Sequence, residues 1–395
     1  MKLVLASHGT RGDIEPCAAL GLELVRRGHD VRMAVPTNML DFVESAGLAA
    51  VAYGPDWQAP PDEDFARKFS QTHDPISVLV QYATQVWLEM GMKLAALAKG
   101  ADLLLAGMFE QGLATNVAEY YGIPLAALHC YPMQEFVPML PPQLGWLQSR
   151  ITNEAEDAQR RALGLPEARM AGPGSLEIQA YDELCFPGLA AEWAKADGRR
   201  PFVGALAMEV PTDADDEVAS WMAAGTPPIY FGFGSMPVAS PAETLAMIST
   251  ACLQLGERAL ICTGANDFTQ APHFDHVKVV GAVNHAAIFP SCRAVVHHGG
   301  AGTTARGMRS GIPTLILWMG ADQSIWADVV KQLNVGSAQP FAAATTESLI
   351  ADLRCILAPQ YRTRAREIAT RMTKPAESAA RAADLLEDTA RLSPV

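Results

Sequence analysis

Nowhere does this chain hold the about 18 uninterrupted apolar residues that a spanning helix needs, although 49% of its 395 residues are apolar. No transmembrane segment is therefore expected. The opening run, Lys2 to Ala6, is too short for a signal-peptide core and breaks at Gly9, so it reads as a buried strand and points to a cytoplasmic protein. There is no Cys-x-x-Cys pair. Seven scattered cysteines, an odd number, argue against a disulfide framework and fit a reducing compartment. Cations are scarce: 30 Lys and Arg stand against 43 Asp and Glu, a net charge of -13. That balance disfavours nucleic acid and anionic lipid as main partners, while peripheral membrane contact stays open. The first strand is not followed by the Gly-x-Gly-x-x-Gly loop of dinucleotide-dependent oxidoreductases.

What is present is a repeated strand-loop-helix pattern. After Lys2 to Ala6 comes a polar turn, His8 to Asp13, then a helix with Pro16 in its first turn, an apolar Leu20 and Leu24 pair, and Gly28 at its end. Val31 to Val35 is the next strand, Asp102 to Ala106 another, and Leu113 to Tyr121 a helix leading to a strand through Leu128. Between Asp56 and Gly100 lies a helix-rich stretch with Trp57, Phe65, Phe69, Tyr82 and Trp87; Cys130 to Trp146 is irregular. Long insertions of this kind tend to carry binding surfaces. The acidic run from Pro211 reads as a linker or exposed loop. The theme then repeats with strands at Pro228 to Phe233, Leu260 to Cys262, Val277 to Val280, Ala294 to His297 and Thr314 to Leu317, and with a helix over Pro241 to Leu255.

The expectation is an α/β protein of two similar halves. Residues 1–205 form the first, 206–227 a linker and 228–374 the second, and a helix over 375–395 is able to cross back onto the first. Ligands in such sheets bind beyond the carboxyl ends of the strands, here in a cleft between the halves.

Four segments carry the chemistry. In Val295 to Thr304, a strand runs into His298 and three glycines, Gly299, Gly300 and Gly302, then Thr303 and Thr304, with a helix expected from Ala305. Free amides and partial positive charge at a helix N-terminus attract phosphate, glycines allow close approach, and His298 can hydrogen-bond a phosphate oxygen. A tight turn that merely needs glycines is the plainer alternative. His297 and His298 point to opposite faces of a strand and no further ligand stands at metal spacing, so no metal is expected and His297 reads as core. The acid clusters Asp62-Glu63-Asp64 and Asp213 to Glu217 read as solvated surface.

Asp322-Gln323, directly after the strand Thr314 to Leu317, suits the vicinal hydroxyls of a sugar; Asp322 equally suits a helix N-cap. In Gly9 to Asp13, Thr10, Arg11 and Gly12 could meet a phosphate and Asp13 could deprotonate a hydroxyl, with helix capping as the alternative. Ser235, in Gly232-Phe233-Gly234-Ser235, is another phosphate candidate with a capping alternative.

These segments, in this order, resemble glycosyltransferase family 1 of the GT-B fold, and within it the bacterial branch acting on glycopeptides, macrolides, sterols and mycobacterial lipids. The likeness spans nearly the whole chain. It implies two facing Rossmann-like domains with parallel sheets and an interdomain cleft. Asp13 would be the general base. Ser235, His298, Gly300, Gly302 and Thr303 would hold the diphosphate, and Asp322 and Gln323 the donor sugar. Gly281 to His285 looks like the nucleobase loop, with Val283 contacting the base through its backbone. Plant relatives carry a Trp where this chain has Ala282, which leaves uracil against thymine open. Plant relatives also pair a catalytic His with an Asp after a central strand. Leu105 to Met108 has no acid and Glu110 is out of register, so a lone carboxylate base is expected.

The resemblance thus implies an inverting, metal-independent transfer from a UDP- or dTDP-sugar to a hydroxyl of an apolar small molecule, with no cofactor. Met133, Phe136, Val137, Met139, Leu140, Leu144 and Trp146 suggest an adaptable acceptor pocket without identifying the acceptor. A nucleotide-sugar epimerase would not need these apolar segments. A decayed metabolite-binding protein would not need Asp13, Asp322 and Gln323.

Overall fold

A computed structural model describes residues 1–56, 59, 63–139, 141–167, 175–195, 198–269 and 272–392. The chain divides into two compact units: residues 1–180, 190–208 and 375–395 form one, and residues 181–189 and 209–374 the other. Trp57, Asp62, Leu140 and the side chain of Met139 lie outside the described residues.

The first unit is built on a six-stranded sheet, β1 (Lys2–Ala6), β2 (Asp30–Val35), β3 (Ala49–Ala52), β4 (Leu103–Ala106), β5 (Leu125–His129) and β6 (Leu176–Gln179), in the order β3-β2-β1-β4-β5-β6. Every pairing is parallel. Leu3 to Ala6 and Leu103 to Ala106 are fully buried, as continuous apolar runs must be when helices cover both faces of a parallel sheet. The second unit repeats the plan with β7 (Ile229–Gly232), β8 (Ala259–Cys262), β9 (Val277–Val280), β10 (Ala294–His297), β11 (Thr314–Trp318) and β12 (Gly336–Pro340), in the order β12-β11-β10-β7-β8-β9, again all parallel. Chain order reverses at β1/β4 in one sheet and at β7/β10 in the other. At such switch points the loops leaving neighbouring strands diverge and open a crevice.

Several local expectations are corrected. The first helix starts at Arg11, with Thr10 as its N-cap, so Pro16 lies inside the helix and not in its first turn. The stretch between Asp56 and Gly100, by contrast, is helix-rich as expected: it holds Glu63–Gln71 and the long helix Pro75–Ala98, the latter started by the Asp74 side chain accepting the Ser77 amide at 3.1 Å. The stretch read as a linker contains the helix Asp215–Ala223, which buries Val218 and Met222 with Tyr230, Leu260 and Phe289.

Residues 181–189 belong to the second unit for a physical reason. Tyr181 and Phe186 pack edge-on against the buried Trp326 at 6.3 and 5.5 Å, and Asp182 Oδ1 accepts the Thr373 amide at 2.6 Å. The C-terminal helix Pro375–Leu392 belongs to the first unit. Arg27 pairs with its Asp384 at 2.7 Å and Glu387 at 3.3 Å, His29 Nε2 meets Glu387 at 2.9 Å, and Ala382, Ala383 and Leu386 are buried.

Candidate functional site

In the second unit, the turn after β10 is the centre of the site. The helix Ala301–Arg309 starts earlier than expected, with Gly300 as N-cap, so Gly302 and Thr303 belong to its first turn. Thr304 is fully buried and donates to the Gly300 carbonyl at 2.9 Å, which ties the turn together. Gly299 has φ +100°, and a Cβ there would lie 2.9 Å from Ile316 and 3.0 Å from Gln323. A Cβ on Gly300 would lie 2.7 Å from His298 Nε2, whereas one on Gly302 would meet only the guanidinium end of Arg306, at 3.3 Å. Gly299 is thus required by the turn itself, whereas a side chain at Gly300 would crowd the His298 ring. Gly302 leaves a helix N-terminus open to close approach.

The two histidines differ. His297 is fully buried, and its Nδ1 accepts the Gly299 amide at 3.0 Å. Burial holds its pKa well below the ordinary value, so it is neutral and braces the turn. The ring of His298 lies against Gly234 and Gly300. Burial lowers its pKa to about 4, opposed in part by the Gly232 backbone. At neutral pH it is an uncharged hydrogen-bonding group beside the helix N-terminus.

The loop carrying Ser235 is fastened from β8. Asn266 Oδ1 accepts the Val238 amide at 2.7 Å, and its Nδ2 donates to Met236 O at 3.0 Å and Thr263 O at 3.2 Å. The Ala265 amide donates to Gly234 O at 2.9 Å. Nothing in the sequence around Asn266 marked this role.

Gly320, not Asp322, is the N-cap of the helix Ala321–Gln332. Gln323 Oε1 accepts the Met319 and Gly320 amides at 2.7 and 3.2 Å, which fixes that side chain against Gly299. Asp322 is not used as a cap, and burial raises its pKa above the ordinary carboxylate value.

In the loop Gly281 to His285, the Val283 side chain is buried among Tyr230, Ile288 and Phe289. Asp215 Oδ1 accepts the Asn284 amide at 2.8 Å and the Thr212 hydroxyl at 2.8 Å. His285 stacks on Phe289 at 4.4 Å and meets Tyr230 Oη at 2.9 Å. Asp215, expected as solvated surface, instead braces this loop. In the other acid cluster, Asp64 does lie on the surface and pairs with Arg67 and Lys68.

In the first unit, Asp13 sits at the β1/β4 switch point. Its Oδ2 accepts the Thr10 amide at 2.8 Å and the Thr10 hydroxyl at 3.2 Å, so the capping role is real. Gly9 has φ +137°, and a Cβ there would lie 2.4 Å from that same oxygen. Arg11 turns away from this loop, pairing with Glu15 at 3.0 Å and covering the Phe42 ring at 4.8 Å. The Gly12 amide donates to Thr10 Oγ1 at 3.3 Å.

Asp13 is not a lone carboxylate. Glu110, in the loop after β4, is fully buried and accepts the Gly107 amide at 3.1 Å; burial, and then the charge of Asp13, push its pKa up to about 8. Sequence register misses it because the chain leaves β4 and doubles back at the cap of the helix Gln111–Tyr121.

The acceptor candidates are spread over the first unit. Met133 and Phe136 are half-buried, with Phe136 packed on Tyr131 at 5.2 Å. Trp146 is 56% exposed, with Arg150 over its ring. Val137 and Leu144 are similarly exposed. Among the described residues no three His, Cys, Asp or Glu side chains group as a metal site, and no helix is long and apolar enough to cross a membrane.

Known proteins match this chain along its length. The family described as glycosyltransferase family 28 N-terminal domain matches residues 3–95, and the erythromycin biosynthesis protein CIII-like C-terminal domain matches residues 247–385. An uncharacterized glycosyltransferase of Mycobacterium tuberculosis is 62% identical, over 99% of both chains. The vancomycin aglycone glucosyltransferase of Amycolatopsis orientalis is 31% identical, over 98% of this chain and 97% of its own. Among solved structures, the glycosyltransferase of kitacinnamycin superposes with a TM-score of 0.75 at 20% identity, over 100% of this chain and 99% of its own. The glycosyltransferase VinC in complex with dTDP superposes with a TM-score of 0.66 at 19% identity, over 99% and 100%. With its two six-stranded parallel sheets and these relatives, the chain belongs to the glycosyltransferases of the GT-B fold.

Proposed function

We propose that this glycosyltransferase moves a sugar, with inversion, from a UDP- or dTDP-sugar to a hydroxyl of an apolar small molecule, as a member of the family 1 branch that acts on glycopeptides, macrolides, sterols and lipids. The observation that carries this reading is the turn His297 to Thr303. It presents a helix N-terminus, an open glycine at 302 and a neutral His298, a set of hydrogen-bond donors suited to a diphosphate.

The acceptor oxygen attacks the anomeric carbon as its proton passes to Asp13, and the bond to the diphosphate oxygen breaks with its electron pair leaving on the diphosphate. Growing negative charge on that leaving group is met by the Gly302 and Thr303 end of the helix, by His298 and by Ser235. Asp322 and Gln323 hold the donor sugar, and the Val283 backbone the base. No metal is required, because backbone amides supply the charge stabilisation. Thr10 and Gly12 are secondary phosphate candidates; Arg11, engaged by Glu15 and Phe42, is the weakest of the set. Met133, Phe136 and Trp146 border the acceptor. All seven cysteines are free, in keeping with a cytoplasmic setting.

The relatives named above lend support: one is named for the vancomycin aglycone, and one was solved with dTDP. Mass spectrometry of a matrix of UDP- and dTDP-sugars against apolar hydroxylated acceptors tests the reading. A glycosylated product in the presence of EDTA is expected; donor turnover to an epimerised sugar without acceptor would overturn it.

A further inference from the structure

The mechanism just described leaves the buried carboxyl group of Glu110 unused. Glu110 is 0% exposed and lies within electrostatic reach of Asp13. Its Oε1 accepts the Gly107 amide at 3.1 Å, and its Oε2 is buried with no hydrogen-bond partner among the described residues. The room for it is made by Gly107, where a Cβ would lie 2.8 Å from Glu110 Oε1 and 2.9 Å from Ser7 Oγ. Ser7 Oγ in turn donates to the Asp13 carbonyl at 3.0 Å, so the two carboxyl residues share one scaffold at the β1/β4 switch point.

Among the described residues, the titratable groups that act on Glu110 supply no cation. From the helix Arg11–Arg26 come Asp13 and Cys17, whose thiol burial pushes up to about 12. From the loop after β1 comes His8, which burial keeps neutral, and from the loop after β3 comes Tyr53, whose hydroxyl burial holds in its protonated form. Burial and the Asp13 charge outweigh the backbone amides of Glu110, Gly107 and His8, which favour the ionised form, and the pair settles with one proton.

We propose that Glu110 is a positioning residue for the reaction at Asp13: a neutral carboxylic acid, hung from the Gly107 amide, that keeps the single negative charge of the pocket on Asp13. The inference rests on Asp13 acting as the base. Burial and the Asp13 charge, which move Glu110 up to about 8, agree with it. Ionisation of Glu110 at alkaline pH would place a second anion beside the half-buried Asp13 and displace it.

Two measurements test this. The first is turnover against pH for wild type, Glu110→Gln, Glu110→Ala and Asp13→Asn. Wild type is expected to lose turnover with an apparent pKa near 8. Glu110→Gln, which mimics the neutral acid, moves that limb to higher pH and restores most of what Glu110→Ala loses at pH 7. An unmoved limb, or a Glu110→Gln enzyme as inactive as Glu110→Ala, overturns the proposal. Asp13→Asn with near-wild-type turnover refutes instead the underlying assignment of the base.

The second needs no activity. The native state keeps the Glu110 proton up to about pH 8, while the unfolded chain releases it near 4.5. Wild type therefore loses stability relative to Glu110→Gln as pH rises through that window. A melting-temperature difference that widens from pH 5 to 8 and then levels is expected; a flat difference contradicts a buried, protonated Glu110.

Discussion

His297 Nδ1 accepts the Gly299 amide at 3.0 Å, so a fully buried neutral imidazole sets the turn from which the helix Ala301–Arg309 departs. Replacing it with Phe keeps the volume apolar but leaves the Gly299 amide without its acceptor, a loss of about 1–3 kcal/mol. His297→Phe is expected to unfold at lower denaturant and to bind UDP or dTDP more weakly in calorimetry. Unchanged midpoint and affinity would remove the bracing role.

The glycines of the same turn separate folding from binding. Gly299→Ala forces a side chain into φ +100° and to 2.9 Å from Ile316, and is expected to destabilise the protein by about 1–3 kcal/mol. Gly302→Ala meets only the movable end of Arg306, so its melting temperature should stay near wild type while nucleotide affinity falls. If Gly302→Ala binds nucleotide like wild type, the helix N-terminus is not where the diphosphate sits.

His298 makes stability depend on acid. Its native pKa of about 4 lies below the ordinary 6.5, so between those values the unfolded chain binds the extra proton. Stability is full above pH 6.5 and falls as the pH drops toward 4, by about 3 kcal/mol for this group. Thermal unfolding of His298→Asn across that range should show a shallower acid slope; an identical slope would contradict a buried, neutral His298.

Asp215 holds the loop that carries Val283 by accepting the Asn284 amide at 2.8 Å. Asp215→Ala is expected to raise KM for the nucleotide-sugar several-fold, about 1–2 kcal/mol of lost loop support, with little change in kcat. A fall in kcat at constant KM would place Asp215 elsewhere in the reaction.

The sheets were legible because parallel strands covered on both faces are continuous apolar runs, as in Leu103 to Ala106 and Ala294 to Val296. β3, β6 and β12 were not: β12, Gly-Ser-Ala-Gln-Pro, has little strand propensity of its own and is held at the sheet edge by its register with Thr314 to Trp318. The glycine turn between β10 and the helix Ala301–Arg309 was legible because its glycines and histidine are contiguous. Asn266, Asp215 and Glu110 act on backbone that is distant in sequence or folded back on itself, and their residue types alone suit an ordinary polar loop. Asp215 in particular stands in an acidic run whose composition conceals that one carboxylate is withdrawn from solvent to bind two loops.

In the proposed reaction, Asp13 takes the acceptor proton while the second unit holds the diphosphate. Asp13→Asn tests it most directly, because an amide oxygen can still accept the Thr10 amide and preserve the cap, yet cannot take up the proton. This variant is expected to melt near wild type, to bind UDP or dTDP unchanged, and to lose about 10²–10⁴-fold in turnover. Turnover within a few-fold of wild type would contradict it.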